Sequence, residues 1–95
     1  MQIEVSAEAQ DELLDILKYG YEMFGEDTSE AYLRGFDNAF ALIVSHPAIG
    51  ALNDHVRPPI RSLPYGSHRI FYDVFENRIV VQRVLHKAMD AERHL

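Results

Sequence analysis

Arg61, Arg69, Arg83 and His86 stand inside stretches that are otherwise apolar: Ile60-Arg61-Ser62-Leu63, His68-Arg69-Ile70-Phe71-Tyr72 and Val81-Gln82-Arg83-Val84-Leu85-His86. A guanidinium holds anions, and an imidazole moves a proton near neutral pH. Burying either without a partner is costly, so each of these side chains must reach a partner, a ligand or solvent on a working surface. Plainer assignments exist beside the chemical one. Arg69 can pair with Asp73 on the same strand face or with an acid from a helix. Arg83 can be a structural arginine tied to backbone carbonyls, and His86, at a strand end, can simply face solvent. The five histidines, His46, His55, His68, His86 and His94, are scattered without ligand spacing on one face, and there is no cysteine. No metal site, disulfide or cofactor is therefore expected.

These residues need a scaffold, and the chain has room for one domain with one core: 95 residues, 47% apolar and 11% aromatic. No apolar run approaches the roughly 20 residues of a membrane span, and Gln2-Ile3-Glu4-Val5 lacks the pattern of a secretion signal. A cytoplasmic protein with no membrane partner is expected. The net charge of −6 is unevenly divided. Residues 1–50 carry ten acids against Lys18 and Arg34, whereas residues 51–95 carry seven bases against five acids. Such a chain is a poor general binder of nucleic acid, and no direct sequence-specific binding is expected.

Gln2 to Val5 alternates polar and apolar like a short strand. Ser6 is a good N-cap, Glu8 sits in the first turn, and Ala9, Leu13, Ile16, Leu17 and Phe24 recur at helical spacing, predicting a helix over about 7–24. Gly20 lies on that stripe, where it costs about 1 kcal/mol relative to Ala unless another backbone comes close. After a turn of about three residues, Asp27 and Glu30 at capping-box spacing start a second helix, striped by Tyr32, Leu33, Phe36, Ala39, Phe40 and Ile43 and ended by His46-Pro47. The two helices form an antiparallel hairpin. Ala48 to Pro59 reads as a loop, followed by strands at Ile60–Leu63, His68–Phe75 and Arg78–His86, the last two joined by a tight turn at Glu76-Asn77. The expected class is α+β in the order β-α-α-β-β-β, with the helical hairpin on a small, mostly antiparallel sheet.

A two-residue turn sets Val74 opposite Ile79, Tyr72 opposite Val81 and Ile70 opposite Arg83. One face, holding Ile70, Tyr72, Val74, Ile79, Val81 and Leu85, meets the helices. The other displays Arg69, Phe71, Asp73, Phe75, Val80, Gln82, Val84 and His86, a half-apolar surface of the kind that another chain covers.

The helix opening Ser6 to Leu13, the stretch Val56-Arg57-Pro58-Pro59-Ile60-Arg61-Ser62, the strand His68 to Tyr72 and the ending Arg83 to Leu95 together resemble the RelE/ParE superfamily of type II toxins, over the whole chain. The resemblance implies a plasmid-stabilisation toxin neutralised in a hetero-oligomer by a cognate ParD-like antitoxin. RelE-like members cleave messenger RNA on the ribosome, with lysines near the sheet and often a tyrosine near the end. Here Asn53, Asp54 and His55 replace the lysines, and Lys87 follows His86. If the chain were a ribonuclease, its site would be Arg61, Arg69, Arg83 and His86. The ParE-like branch, whose members inhibit DNA gyrase with no known chemistry of their own, fits better and implies no catalytic residues. Target-binding candidates are then Lys87, Met89, Arg93 and Leu95 in a tail beyond the sheet, and antitoxin-binding candidates are Phe71, Phe75, Val80 and Val84. A neighbouring gene for a ribbon-helix-helix protein with an acidic amphipathic tail is the expected companion. A module of this fold that binds an antitoxin without being toxic is the remaining alternative.

Overall fold

A computed structural model describes residues 1–89 and 91–95; Asp90, within the proposed target-binding tail, lies outside the described residues. The chain runs β1 (Gln2–Val5), α1 (Ala7–Phe24), α2 (Glu26–Ser45), β2 (Ala51–Asn53), β3 (Ile60–Tyr65), β4 (His68–Val74), β5 (Arg78–His86) and one helical turn, α3 (Ala91–His94). The strands form a single sheet in the order β1-β5-β4-β3-β2, in which β1 is parallel to β5 and every other pair is antiparallel. The α+β hairpin-on-sheet expectation holds with two additions. The first strand joins the sheet edge, and Ala51–Asn53, expected as loop, pairs with Ile60–Ser62 at the other edge.

Ser6 links the sheet to the first helix. Its hydroxyl accepts from the Ala9 N–H at 3.1 Å as an N-cap and donates to the Gln82 carbonyl at 2.7 Å. The expected capping box at Asp27 is not used. Gly25 alone connects the helices, with φ at +86°, and α2 begins at Glu26 without a side-chain cap. A left-handed glycine reverses the chain in one residue, which leaves no separate turn for Asp27 to cap.

Close helix packing at Gly20 is present. The Ser29 hydroxyl donates to the Leu17 carbonyl at 3.0 Å, and a Cβ on Gly20 would lie 2.2 Å from Ser29 Oγ. Gly20→Ala is therefore expected to destabilise by about 1–3 kcal/mol through overpacking, although alanine is the better helix former. Urea unfolding checks this, and equal or higher stability in the variant would refute it.

Under the hairpin, Ala9, Phe36 and Ile43 bury Ile70, Tyr72, Ile79, Val81 and Val84. The buried Tyr72 hydroxyl donates to the Pro47 carbonyl and accepts from the Gly50 N–H, both at 2.8 Å, which fastens the loop after α2 to the sheet. The opposite face is not open. Val56 and Ile60 cover Phe71 and Leu85, and Ala91 packs against them.

The predicted turn and the first two pairs are present: Val74 faces Ile79 and Tyr72 faces Val81. Beyond them the register shifts, so that Phe71 faces Arg83 and Ile70 faces Val84, leaving Gln82 as an extra residue on β5. Such a bulge reverses the alternation of faces after it. Val84 therefore enters the helix-side core, while Leu85, expected there, joins the second face. Two of the antitoxin-binding assignments need correction, Val84 because the bulge turns it inward and Phe71 because the chain's own residues cover the second face. Phe71 is 2% exposed beneath this chain's own residues, and Val84 is 3% exposed beneath its helices.

Candidate functional site

Arg61, Arg69, Arg83 and His86 are not brought together. Arg61 donates to the Gly50 carbonyl at 2.8 Å and more weakly to that of Ala48 at 3.4 Å, holding the loop before β2. Arg69 is exposed and forms no ion pair among the described residues; Asp73 accepts instead from Gln82 Nε2 at 3.2 Å. Arg83 reaches α1, where its Nη2 and Nε donate to Glu12 Oε2 at 2.7 and 3.0 Å, and its Nη1 also meets the His94 carbonyl. The Glu12 bonds hold the Arg83 guanidinium above its ordinary pKa. Adjacent strands lie about 4.8 Å apart, so Arg61 on β3 and Arg83 on β5 are on the order of 10 Å apart across β4. An RNA-cleaving site needs a base, an acid and a phosphate-holding cation around one atom, and these four side chains point to different places.

His86 has moved. Expected on the second face, it stands opposite His68 after the bulge, with the two rings edge to face at 5.5 Å. Tyr32 from α2 meets His68 Nδ1 through its hydroxyl at 2.7 Å and accepts from the Ser67 N–H at 3.0 Å. The Ala88 N–H donates to His86 Nδ1 at 3.1 Å, so in neutral His86 the ring proton sits on Nε2, leaving no lone pair there for a metal. Among the described residues no group of three or more His, Asp or Glu side chains is placed to hold a metal ion.

Burial, and then the neighbouring His86, holds His68 below its ordinary value of 6.5. The unfolded chain then takes up this proton more readily than the folded one. Stability is full above about pH 6.5 and falls as pH drops through that value toward the lowered one. His68→Gln is expected to flatten this acid limb of thermal stability. Parallel pH profiles of wild type and variant would contradict the assignment.

The His68–His86 pair floors a groove of about 570 Å3 beneath the hairpin tip, walled by Ile16, Tyr19, Phe24 and Tyr32 and edged by Asp15. No sequence signal marked this groove, because histidines 18 positions apart meet only through the register of β4 and β5.

The tail beyond the sheet folds back onto its second face. His94 and Leu95 line a shallow cleft on the second face with Val56, Arg57, Pro58, Gln82 and Arg83. Lys87, Met89, Arg93 and Leu95 all remain exposed. Phe75 is 45% exposed with the Arg78 guanidinium 5.1 Å above its ring, and Val80 is half-buried; these two antitoxin-binding candidates remain accessible.

Comparison with known proteins places this arrangement. Residues 3–91 match the family described as ParE toxin of type II toxin-antitoxin system, parDE. The chain is 41% identical over 92 residues to Toxin ParE1 of Mycobacterium tuberculosis strain H37Rv, covering 96% of this chain and 94% of that protein. It is 33% identical over 91 residues to Toxin ParE1 of Caulobacter vibrioides, with the same coverage. Among solved structures, a chain of the chromosomal ParDE TA system from P. aeruginosa superposes with a TM-score of 0.79 over 90% of this chain and 95% of that one, at 15% identity, a likeness of fold.

Proposed function

We propose a function from one premise: this chain belongs to the ParE toxin family of type II toxin-antitoxin systems. It inhibits DNA gyrase in the cytoplasm by contact, without catalysis of its own, and is held inactive in a hetero-oligomer by a cognate ParD-like antitoxin. The observation that carries the non-catalytic part is the dispersal of Arg61, Arg69, Arg83 and His86: two are tied to the chain's own carbonyls or carboxylate, one is exposed with no ion pair among the described residues, and one lines the groove below the hairpin tip. The tail residues Lys87, Met89, Arg93 and Leu95 supply the gyrase contact. Accessible apolar side chains, Phe75 at the β4–β5 turn, Val80 on the sheet and those along the hairpin, supply the antitoxin contact. Among the described residues no helix is long and apolar enough to cross a membrane.

The test adds purified chain, freed of antitoxin, to gyrase and plasmid DNA and reads supercoiling together with covalently trapped, cleaved DNA. Lost supercoiling with accumulated cleavage is the expected result. Normal supercoiling from folded protein would overturn the proposal. Ribosome-dependent RNA cleavage by that protein, abolished in His86→Ala and Arg69→Ala, would then identify a ribonuclease.

A further inference from the structure

The two faces of the sheet differ in charge. Residues 7–30, which form α1 and open α2 over one face, hold eight acids against Lys18. The second face belongs to the basic half of the chain. Arg69 on β4 stands opposite Leu85 on β5, and the Lys87 N–H donates to the Ser67 carbonyl at 2.9 Å, which carries the pairing one step past His68 and His86. Two residues beyond Leu85, Lys87 falls on the same face as Leu85 and Arg69, at the diagonal spacing of about 7–8 Å. Arg57 lines the cleft at the other end of that face, beside Asp73. Between them Ala91 of α3 packs against the cluster of Phe71 and Leu85, with Arg93 two residues on.

Arg57, Arg69, Lys87 and Arg93 are all exposed, and none forms an ion pair among the described residues, where the two ion pairs use Arg78 and Arg83. Asp73 accepts from Gln82, Glu12 holds Arg83, and the charge of Glu8, which borders the cleft, also acts on Arg83. The four cations are thus left for something outside the chain. From Ser67 to Asp73 the strip is about 20 Å long at about 3.3 Å per residue, or about six steps of one DNA strand at about 3.4 Å each. A polyanion with charges of one sign suits such a strip better than a protein surface, on which acids and bases alternate. Free DNA alone would be held weakly, because the chain carries a net charge of −6 and the hairpin acids repel the same polyanion. A second hold is needed, and an enzyme that already grips DNA supplies it.

Resting on the gyrase reading above, we propose that Arg57, Arg69, Lys87 and Arg93 lie on the phosphate backbone of the DNA that gyrase holds. Of the tail residues assigned to the target, Lys87 and Arg93 then meet its DNA, and Met89 and Leu95 its protein. The acidic hairpin points away from the DNA. Phosphate contacts carry no base sequence, so the toxin recognises gyrase loaded with DNA and not a DNA site.

Fluorescently labelled toxin, freed of antitoxin, is titrated by anisotropy with gyrase alone and with gyrase loaded with a linear duplex, and the ratio of the two affinities is read. With four phosphate contacts the ratio is expected to fall about 150-fold between 50 and 200 mM salt, and about 40-fold in Arg69→Ala, which loses one contact. Arg57→Glu combined with Arg69→Glu is expected to bring the ratio at low salt to about one. A photo-crosslinking benzoylphenylalanine at Pro64, exposed and opposite Arg69 on β3, keeps all four cations and is expected to label the DNA on irradiation of the loaded complex. A wild-type ratio near one, a ratio that ignores salt or survives the double reversal, or crosslinks to gyrase alone or to neither partner would each overturn the proposal and leave the gyrase reading standing. If folded wild type binds gyrase in neither state, both fall.

Discussion

Replacing Glu12 by alanine is expected to lower the unfolding free energy by about 2–3 kcal/mol, the size associated with charged hydrogen bonds at partly buried sites. One carboxylate serves three donors: Arg83 Nη2 at 2.7 Å, Arg83 Nε at 3.0 Å and the Val84 N–H at 2.8 Å. The third is the informative one. β1 pairs with β5 only as far as Val5 opposite Val81, after which the chain turns into α1 and the β5 edge is left without a strand. Glu12 supplies the missing acceptor from the helix. The side chains of Arg83 and Glu12 are 25% and 20% exposed, so solvent screens the pair only in part. By contrast, Glu4 and Arg78 meet at 3.0 Å with about half of each side chain in water. Glu4→Ala is therefore expected to cost at most about 0.5 kcal/mol, as surface pairs do. Glu12→Gln, which can still accept from Val84, is expected to fall between wild type and Glu12→Ala. Urea unfolding of the three variants decides it: a Glu12→Ala protein within about 0.5 kcal/mol of wild type would show that water replaces the carboxylate freely.

Glu12 also shows where the sequence ceases to be legible. The helices, the Glu76-Asn77 turn and the span of β5 follow from periodicity and turn residues, which act locally. The bulge at Gln82 does not, because no glycine or proline marks it. It is held from outside, by the Ser6 hydroxyl on the Gln82 carbonyl. One extra residue then decided four assignments: Val84 went under the helices, Leu85 and Arg83 to the other side, and His86 to His68. The pairing of Arg83 with Glu12 spans 71 positions and has no local signature. β2 was missed because Ala51–Asn53 is short and set among loop-forming residues, and it exists only against β3. The tail was placed only beyond the sheet, with no contact assigned to it, yet Ala91 finds the apolar patch left by Phe71 and Leu85. Each failure has the same cause: a contact between distant residues outweighed a local preference.

Deleting residues 88–95 is expected to abolish gyrase inhibition and toxicity while leaving the chain folded, and the structure states what that deletion costs. Among the described tail residues, Ala91 packs on the second-face cluster, and the His94 carbonyl meets Arg83 Nη1. Uncovering part of Phe71 and Leu85 at about 25 cal/mol per Å2, with one charged hydrogen bond lost, is of the order of 1–2 kcal/mol, tolerable for a domain of this size. Lost activity in the deletion alone would therefore confuse folding with contact. Point variants separate them. Lys87, Met89 and Arg93 are exposed, so alanine at each is expected to change stability by less than about 0.5 kcal/mol. If the tail touches the target, at least one of them should reduce gyrase inhibition about tenfold or more, the loss of about 1.4 kcal/mol of contact, with unfolding curves superimposable on wild type. Ala91→Gly should behave in the opposite way, loosening the tail and lowering stability with activity following only as far as the fold does. A deletion that stays folded and still blocks supercoiling would remove the tail from the target surface. The exposed end of the β4–β5 hairpin, with Val74 at 41% and Phe75 at 45%, would then be the next apolar surface to mutate.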